Sequence, residues 1–164
     1  MSVERPGRGG AWDFRGHLVP EYAPRRDGDP DPGEVVWAWV PFEEDPGQGK
    51  DRPIVVIGRD ADDRSVLVAL MLSSKDHGDD RDWFPLGAGP WDSQGRESWV
   101  RLDRPLAVTD SGVRREGAVL PQDVFLGVVE RAGRRAVPTA PGATPGPTTA
   151  RTRLVARIRR LFGR

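Results

Sequence analysis

The 164-residue sequence contains no cysteine. This absence excludes a disulfide framework, a thiolate zinc site and a cysteine nucleophile. The sequence also lacks the run of about 18 apolar residues that a membrane-spanning helix needs. Its first ten residues are polar and glycine-rich, without the apolar centre of a secretory signal peptide, so the expected location is the cytoplasm.

A net charge is also lacking, but the charges are unevenly distributed. Lys and Arg number 25 against 25 Asp and Glu. Residues 33–130 hold eleven basic and nineteen acidic residues, which is a net charge of −8. Residues 131–164 hold nine Arg and no acidic residue. Nucleic acid therefore stays a possible partner, because a basic segment can supply contacts that an acidic body lacks.

Composition divides the chain into four predicted segments. Residues 1–32, with five Pro and five Gly, predict a flexible arm. Residues 33–133 carry the short apolar runs of a folded domain. Residues 134–150 predict an extended Pro/Thr/Gly linker, and residues 151–164 predict a basic amphipathic helix. The apolar residues of the arm that can dock onto the domain are Trp12, Phe14, Leu18, Val19 and Tyr22.

The folded domain is predicted to be mainly β. Residues 34–42 and 53–57 are rich in β-branched and aromatic residues, and residues 65–72 predict a central strand buried on both faces. Shorter strands are expected at residues 82–86, 97–102, 105–109 and 118–120. Residues 121–132 predict a helix, with Pro in its first turn and Gly133 just past its end. Such a pattern favours a small antiparallel barrel or curled sheet.

A glycine-rich polar loop between the first two predicted strands leads to the first candidate site residue. The loop ends at Arg52-Pro53, and Pro53 suits the first position of a strand. Arg52 then stands at the mouth of the loop, where its guanidinium can bind a phosphate through paired donors. The alternative is a surface salt bridge between Arg52 and Asp51 or Glu44.

Two segments resemble a known family. The sequence GEVVWAWVPFEEDPGQGKDRPIVVIG (residues 33–58) resembles the opening of the MazF/PemK (Kid) toxins of type II toxin–antitoxin systems. Gln48, Gly49, Arg52 and Pro53 stand at the offsets of that family's loop and Arg-Pro pair. SWVRLDRPL (residues 98–106) is similar to the family's strand before its closing helix. The resemblance covers about residues 33–131.

The resemblance implies an SH3-like barrel that acts as a homodimer and cleaves single-stranded RNA without a metal or other cofactor. It also implies an antitoxin partner and, through the toxin–antitoxin complex, DNA binding. The family's catalytic Arg corresponds to Arg52. Its hydroxyl residue, usually Thr, corresponds to Ser73 or the adjacent Ser74. For either serine the alternative role is a turn that ends the strand.

His77 is a further catalytic candidate, because histidine is the usual proton-transfer residue near neutral pH. It lies in an acidic loop four residues after Ser73, and the alternative is an exposed loop histidine. The surrounding carboxylates, Asp76, Asp79, Asp80 and Asp82, lack the spacing of a calcium loop and predict a solvated loop.

The candidate RNA-binding residues are Gln48, Lys50, Lys75 and Trp91. Lys75 can pair with a phosphate, or can be a solvated charge among the neighbouring acids. Trp91 is the candidate for an exposed aromatic that stacks on a base, whereas Trp37 and Trp99 are expected in the core.

Two functions compete with RNA cleavage. One is a barrel of the same descent that binds nucleic acid or protein without cutting it. The other is a DNA-binding autoregulator. Arg52 with the following serines favours the enzyme, whereas the adjacent Asp51 and the replacement of Thr by Ser favour a binding module.

The basic C-terminal segment yields the first testable prediction. Its six Arg can capture RNA or pack on the acidic body of the same chain. If they capture RNA, ending the chain before Arg151 will weaken binding to single-stranded RNA and flatten its salt dependence, by about 0.7 in log–log slope for each phosphate that the protein no longer neutralises. Affinity titrations at several salt concentrations measure this, and an unchanged slope would contradict RNA capture.

Overall fold

The structure, a computed structural model, describes residues 9–25, 27–135, 140–141 and 146–147. Within these residues it has ten strands and one α-helix, which confirms the mainly β prediction. The elements are β1 (Trp12–Asp13), β2 (Leu18–Tyr22), β3 (Glu34–Pro41), β4 (Gly49–Asp60), β5 (Leu67–Ser73), β6 (Trp83–Gly87), β7 (Ser98–Arg101), β8 (Leu106–Val108), β9 (Val113–Val119), α1 (Gln122–Arg135) and β10 (Gly146–Pro147).

Strand β4 is the centre of a curled antiparallel sheet. One edge of β4 pairs with β5, while its other edge pairs first with β3 and then with β2. The pairing with β5 shifts register between Val56 and Gly58. A side chain at Gly58 would place its Cβ 2.2 Å from the carbonyl oxygen of Val19. Glycine at this bulge therefore allows β2 to approach β4 closely.

Strand β5 is buried on both faces, as its continuous apolar sequence predicts. Alternate residues of a strand point to opposite faces of the sheet. Leu67, Ala69 and Met71 pack in one apolar cluster, and Val68, Leu70 and Leu72 pack in the other. The second cluster is covered by α1, which buries Phe125 and Val128 completely. The strand thus lies between two layers of packed side chains.

Helix α1 begins where the sequence predicts but extends further. It continues through Gly133 to Arg135, so the prediction that Gly133 follows its end is wrong. The physical reason lies in the last turn, where Arg134 pairs with Glu130 and Arg135 pairs with Asp82. These ion pairs stabilise the last turn of α1, which Gly133 weakens.

The predicted N-terminal arm differs from the structure, because the described part of it belongs to the sheet. Strand β1 pairs with β8, and β2 pairs with β4. Ala11 donates its backbone N–H to the carbonyl of Trp39 in β3 (2.8 Å), so this segment bridges β3 and β8. The apolar cluster drives the docking, since Phe14, Leu18 and Tyr22 are all buried. Residues 1–8 lie outside the described residues.

The C-terminal predictions fall mostly outside the described residues. Of the predicted linker at 134–150, Arg134 and Arg135 are helical and β10 pairs in parallel with β2. The predicted basic helix at 151–164 lies outside the part of the chain that the structure describes. Among the residues that are described, no helix is long and apolar enough to cross a membrane.

A buried carboxyl group marks the turn before β3. Glu34 is 5% exposed and accepts hydrogen bonds from the backbone N–H groups of Arg25 (2.9 Å) and Asp31 (3.0 Å). Oδ2 of Asp31 is buried and has no hydrogen-bond partner among the described residues. Burial, followed by the negative charges of Asp27 and Glu34, raises the pKa of Asp31 to about 6. Ionised Asp31 therefore destabilises the folded state above that pH.

We expect Asp31→Asn to stabilise the protein at pH 7 by about 1–2 kcal/mol, less than the full pKa difference implies because the side chain is partly exposed. The folded-state pKa lies above the unfolded one, so the destabilisation fades as the pH falls through about 6 and is gone below the unfolded value of 3.8. Urea unfolding at pH 7 and at pH 4 measures the difference. Asp29→Asn, in the exposed part of the same turn, is the control. An equal gain at both pH values would contradict the assignment.

Candidate functional site

A cleft of about 210 Å³ opens where β4 begins and β5 ends. The segment between β6 and β7 forms its other wall. Six of the eight predicted site residues line it, although they come from three separate parts of the sequence: Lys50, Arg52, Ser73, Ser74, Lys75 and Trp91. The fold therefore brings together most of the residues that the sequence singled out.

Strand pairing explains why Arg52 and Ser73 meet in this cleft. In the ladder between β4 and β5, Ile54 lies opposite Met71. Continuing that register by two residues sets Arg52 across from Ser73, on the same face of the sheet. Both residues lie just beyond the last pair of the β4–β5 ladder, although Arg52 still pairs with Ala38 of β3 and Ser73 with Trp99 of β7. Both line the cleft that opens there.

Arg52 is half-buried and has no ion-pair partner among the described residues. The alternative of a salt bridge with Asp51 is wrong, because Asp51 pairs instead with Arg114 (3.1 Å). Burial, followed by the positive charge of Arg104, lowers the pKa of Arg52. An arginine held without a counter-ion beside another cation is ready to receive an anion.

Arg104 supports this part of the site, although no sequence pattern above singles it out. Its side chain is 7% exposed, with Nε donating to the Asp13 carboxylate (2.9 Å) and Nη2 donating to the carbonyl of Pro41 (3.0 Å). It thereby connects β1 to the end of β3, where the loop towards Arg52 starts. One sequence feature could have pointed to Arg104: Arg104-Pro105 is a second Arg-Pro pair, like Arg52-Pro53.

Glycine is required where this loop enters β4. Gly49 pairs with Pro41, and a Cβ at Gly49 would lie 2.3 Å from the carbonyl oxygen of Val40. The neighbouring Gln48 closes the turn through its backbone, accepting from the N–H of Phe42 (2.8 Å). Its exposed side chain does not line the cleft, so the structure does not bring this predicted RNA-binding residue to the other candidates.

Ser73 ends β5 and connects the cleft to His77. The backbone N–H of Lys75 donates to Ser73 Oγ (3.1 Å), and His77 Nε2 lies 3.2 Å from the same oxygen. The ring of His77 stacks on Trp83, with centroids 3.7 Å apart and planes 3° from parallel. His77 is thus half-buried, unlike an exposed loop histidine, and it does not line the cleft.

The predicted distribution of tryptophans is wrong. Trp91 is only 6% exposed and donates its indole N–H to Ser98 Oγ (3.0 Å), so it is not an exposed stacking platform. Gly89 leaves the space that this ring fills, because a Cβ there would lie 2.2 Å from it. Trp37 and Trp99, expected in the core, are half-buried, and Trp37 lines the cleft. Trp37 is therefore the more accessible aromatic.

The cleft is locally basic although the body of the protein is acidic. Its two carboxylates are already paired, Asp51 with Arg114 and Asp92 with Arg96 (2.9 Å). Hydrogen bonds from Arg96 lower the pKa of Asp92, which keeps that carboxylate ionised and paired. Three cations of the cleft, Lys50, Arg52 and Lys75, have no ion pair among the described residues.

The acidic loop after the cleft forms its own turns. Asp76 accepts from the N–H of Gly78 (2.8 Å), Asp80 accepts from the N–H of Asp82 (2.9 Å), and Asp82 pairs with Arg135. Across the described parts of the chain, no group of three His, Cys, Asp or Glu residues could hold a metal ion. The carboxylates of this loop therefore act on its own backbone and on α1.

Comparison with known proteins decides the family. The family model for PemK-like, MazF-like toxins of type II toxin–antitoxin systems matches residues 31–133. The chain belongs to this family. The matched region holds every predicted site residue, from Gln48 to Trp91, but not the arm that carries Asp13. No curated protein matches the sequence significantly.

Solved structures of Deinococcus radiodurans proteins are similar to this PemK/MazF family member. A MazE–MazF complex (Form-II) has 22% sequence identity and a TM-score of 0.47, and the match covers 65% of this chain and 93% of that one. MazF (Form-I) has 25% identity and the same TM-score, with 65% and 94% of the two chains covered.

The contact between the arm and the family domain can be tested at Asp13. Asp13→Ala leaves the buried guanidinium of Arg104 without its carboxylate, and we expect it to lower the free energy of unfolding by about 1–3 kcal/mol, less than a fully buried pair because Asp13 is 45% exposed. Chemical denaturation measures the loss. Glu97→Ala, at an exposed position, should change it by less than about 0.5 kcal/mol. An equal effect of both variants would contradict a structural role for the pair.

Proposed function

We propose that this PemK/MazF family member is the toxin of a type II pair, a cytoplasmic endoribonuclease that cuts single-stranded RNA at short sequences without a metal. The observation that carries the proposal is the set of three unpaired cations around Ser73. Lys50, Arg52 and Lys75 line a cleft whose carboxylates are already occupied by arginines. Such a cleft attracts a phosphodiester even though the domain around it is acidic.

Arg52 is suited to the charge that develops during cleavage. The 2′-oxygen of a ribose attacks the adjacent phosphorus, the bond to the 5′-oxygen breaks, and a 2′,3′-cyclic phosphate and a 5′-hydroxyl result. Negative charge builds on the non-bridging oxygens in the transition state. A preorganised donor at that place contributes about 3–4 kcal/mol to the lowering of the barrier. The half-buried guanidinium of Arg52 supplies paired donors there, and Ser73 can position a phosphate oxygen.

Protons must also move from the 2′-hydroxyl and to the leaving 5′-oxygen. The family assigns the acid role to the Arg at the position of Arg52. Burial and the charge of Arg104 lower the pKa of Arg52, which is the direction that favours donation. His77 contacts Ser73 but does not line the cleft, so a direct proton transfer between His77 and the RNA has less structural support than a role for Arg52.

Trp37 is the aromatic that can meet a base. It lies on β3 opposite Pro53, beside Arg52, and it is half-buried at the wall of the cleft. Stacking of a base on an aromatic side chain contributes about 1–3 kcal/mol to binding single strands. Trp91 lines the same cleft but is only 6% exposed, so its predicted contact with RNA is the weaker of the two.

An antitoxin partner, a homodimer and DNA binding by the toxin–antitoxin complex complete the proposal. Membership of a family of type II toxins supports the proposal that an antitoxin binds this protein and holds it inactive. Co-expression with the product of a neighbouring gene, followed by size-exclusion chromatography with light scattering, tests the partner and the dimer together.

The decisive experiment compares the wild type with Arg52→Ala on a long single-stranded RNA in EDTA. We expect the wild type to make discrete cuts with 2′,3′-cyclic phosphate ends, and the variant to lose about a hundredfold or more in cleavage rate. Mapping the fragment ends measures the sites and the chemistry. Arg59→Ala is the matched control, because Arg59 lies on the same strand but pairs with Glu21 outside the cleft.

Two outcomes would contradict the proposal, the first its nuclease activity and the second the role of Arg52. Intact RNA over many sequences would favour a binding module of the same fold. Cuts that survive unchanged in Arg52→Ala would assign the activity to another group or to a contaminating nuclease.

A further inference from the structure

The hydroxyl of Ser73 has a single proton, which it can donate either to His77 or to a ligand in the cleft. A serine hydroxyl has one proton to donate and two lone pairs to accept with. The backbone N–H of Lys75 occupies one lone pair, at 3.1 Å. His77 Nε2, 3.2 Å away, takes either the hydroxyl proton or the second lone pair. The position of one proton on the imidazole therefore decides what Ser73 presents to the cleft.

The two arrangements are not equivalent for an anionic ligand. If Nε2 accepts, the hydroxyl proton of Ser73 points at His77 and only a lone pair faces the cleft. A phosphate oxygen would then meet a lone pair and be repelled. If Nε2 carries a proton and donates, both lone pairs of Ser73 are occupied and its O–H is free to donate to the phosphate.

Two tryptophans hold the imidazole with its Nε2 towards Ser73. Its ring stacks on Trp83 and meets the edge of Trp99, with centroids 6.3 Å apart and an interplanar angle of 74°. Trp99 is paired with Ser73 itself between β5 and β7. Trp83 on β6 and Trp99 on β7 thus fix the plane of the imidazole ring.

We propose that His77 is a positioning residue that, with a proton on Nε2, turns the Ser73 hydroxyl into a hydrogen-bond donor for a phosphate in the cleft. The proposal rests on the proposed function in that the phosphate belongs to the RNA backbone. It differs from a catalytic acid or base, because His77 acts through Ser73 and touches no reacting atom. It also makes phosphate binding and the proton position on His77 mutually dependent.

The imidazole can be observed without any cleavage. In the full-length protein labelled with ¹⁵N-histidine, we expect inorganic phosphate to move the proton of His77 towards Nε2, as long-range ¹H–¹⁵N correlations report. The same addition to Ser73→Ala should leave the His77 signals unchanged, and sodium chloride at equal ionic strength is the control in both. An unchanged His77 in the wild type would overturn the proposal. His17, which lies outside the cleft, is an internal reference.

Cleavage kinetics test the same hydrogen bond. His77→Phe keeps an aromatic ring against Trp83 but removes the donor, and should lower kcat/KM about 10- to 100-fold, as loss of a hydrogen bond to a charged group does. His77→Gln retains a side-chain N–H and should lose only a few-fold. In the Ser73→Ala background, His77→Phe should cause no further loss. An additive loss in the double variant would overturn the proposal. If the wild type leaves RNA intact but its His77 still responds to phosphate, the nuclease function fails and the hydrogen-bond assignment stands.

Discussion

The antiparallel pairing of β4 with β5 is the constraint on which the rest of the structure depends. β5 and the central part of β4 are buried on both faces, so their register cannot slip by one residue without turning apolar side chains towards the opposite layer. The same register that aligns Ile54 with Met71 sets Arg52 across from Ser73. The position of the charged group is therefore determined by the packing of the core beneath it.

Arginine pairing explains how an acidic domain can present a basic cleft. Arg114 and Arg96 neutralise the carboxylates at the cleft wall, while the buried Arg104 pairs with Asp13 and still acts as a positive charge on Arg52. Net charge describes how the whole molecule behaves at distances near the Debye length, about 8–10 Å at physiological salt. Inside the cleft the shorter range decides, and there Lys50, Arg52 and Lys75 have no ion pair among the described residues.

Local sequence patterns predict most of the elements but not their connections. The continuous apolar run of β5 and the Pro-initiated helix α1 were predictable, because periodicity and end signals are local properties. The apolar residues of the arm indicated that it can dock, but its place in the sheet was not predictable, because that depends on partners such as Trp39, far away in sequence. Trp91 was misassigned for the same reason: its burial depends on Gly89 and Ser98, which pack around it only after folding.

The candidate site shows a similar division. Arg52 and the two serines were identifiable from a family motif, and the fold brings them into one cleft. Arg104 and the link between His77 and Ser73 were not, because both depend on contacts that form only when the strands have paired. From composition alone, His77 lies in a charged loop. Its contact with Ser73 is seen only in the folded structure.

The arm joins β3 through Ala11 and β8 through β1, and these contacts constrain the order in which the chain can fold. A ribosome produces the arm first, yet β8, its partner in the sheet, is made more than ninety residues later. β1 can pair with β8 only after the chain between them has been synthesised. Bringing the two ends of so long a segment together costs conformational entropy. The carboxylate of Asp13 thus reaches Arg104 only after the central strands have been made. A nascent chain assembled in this order completes the support of its charged cleft late, when the core beneath that cleft can already be in place.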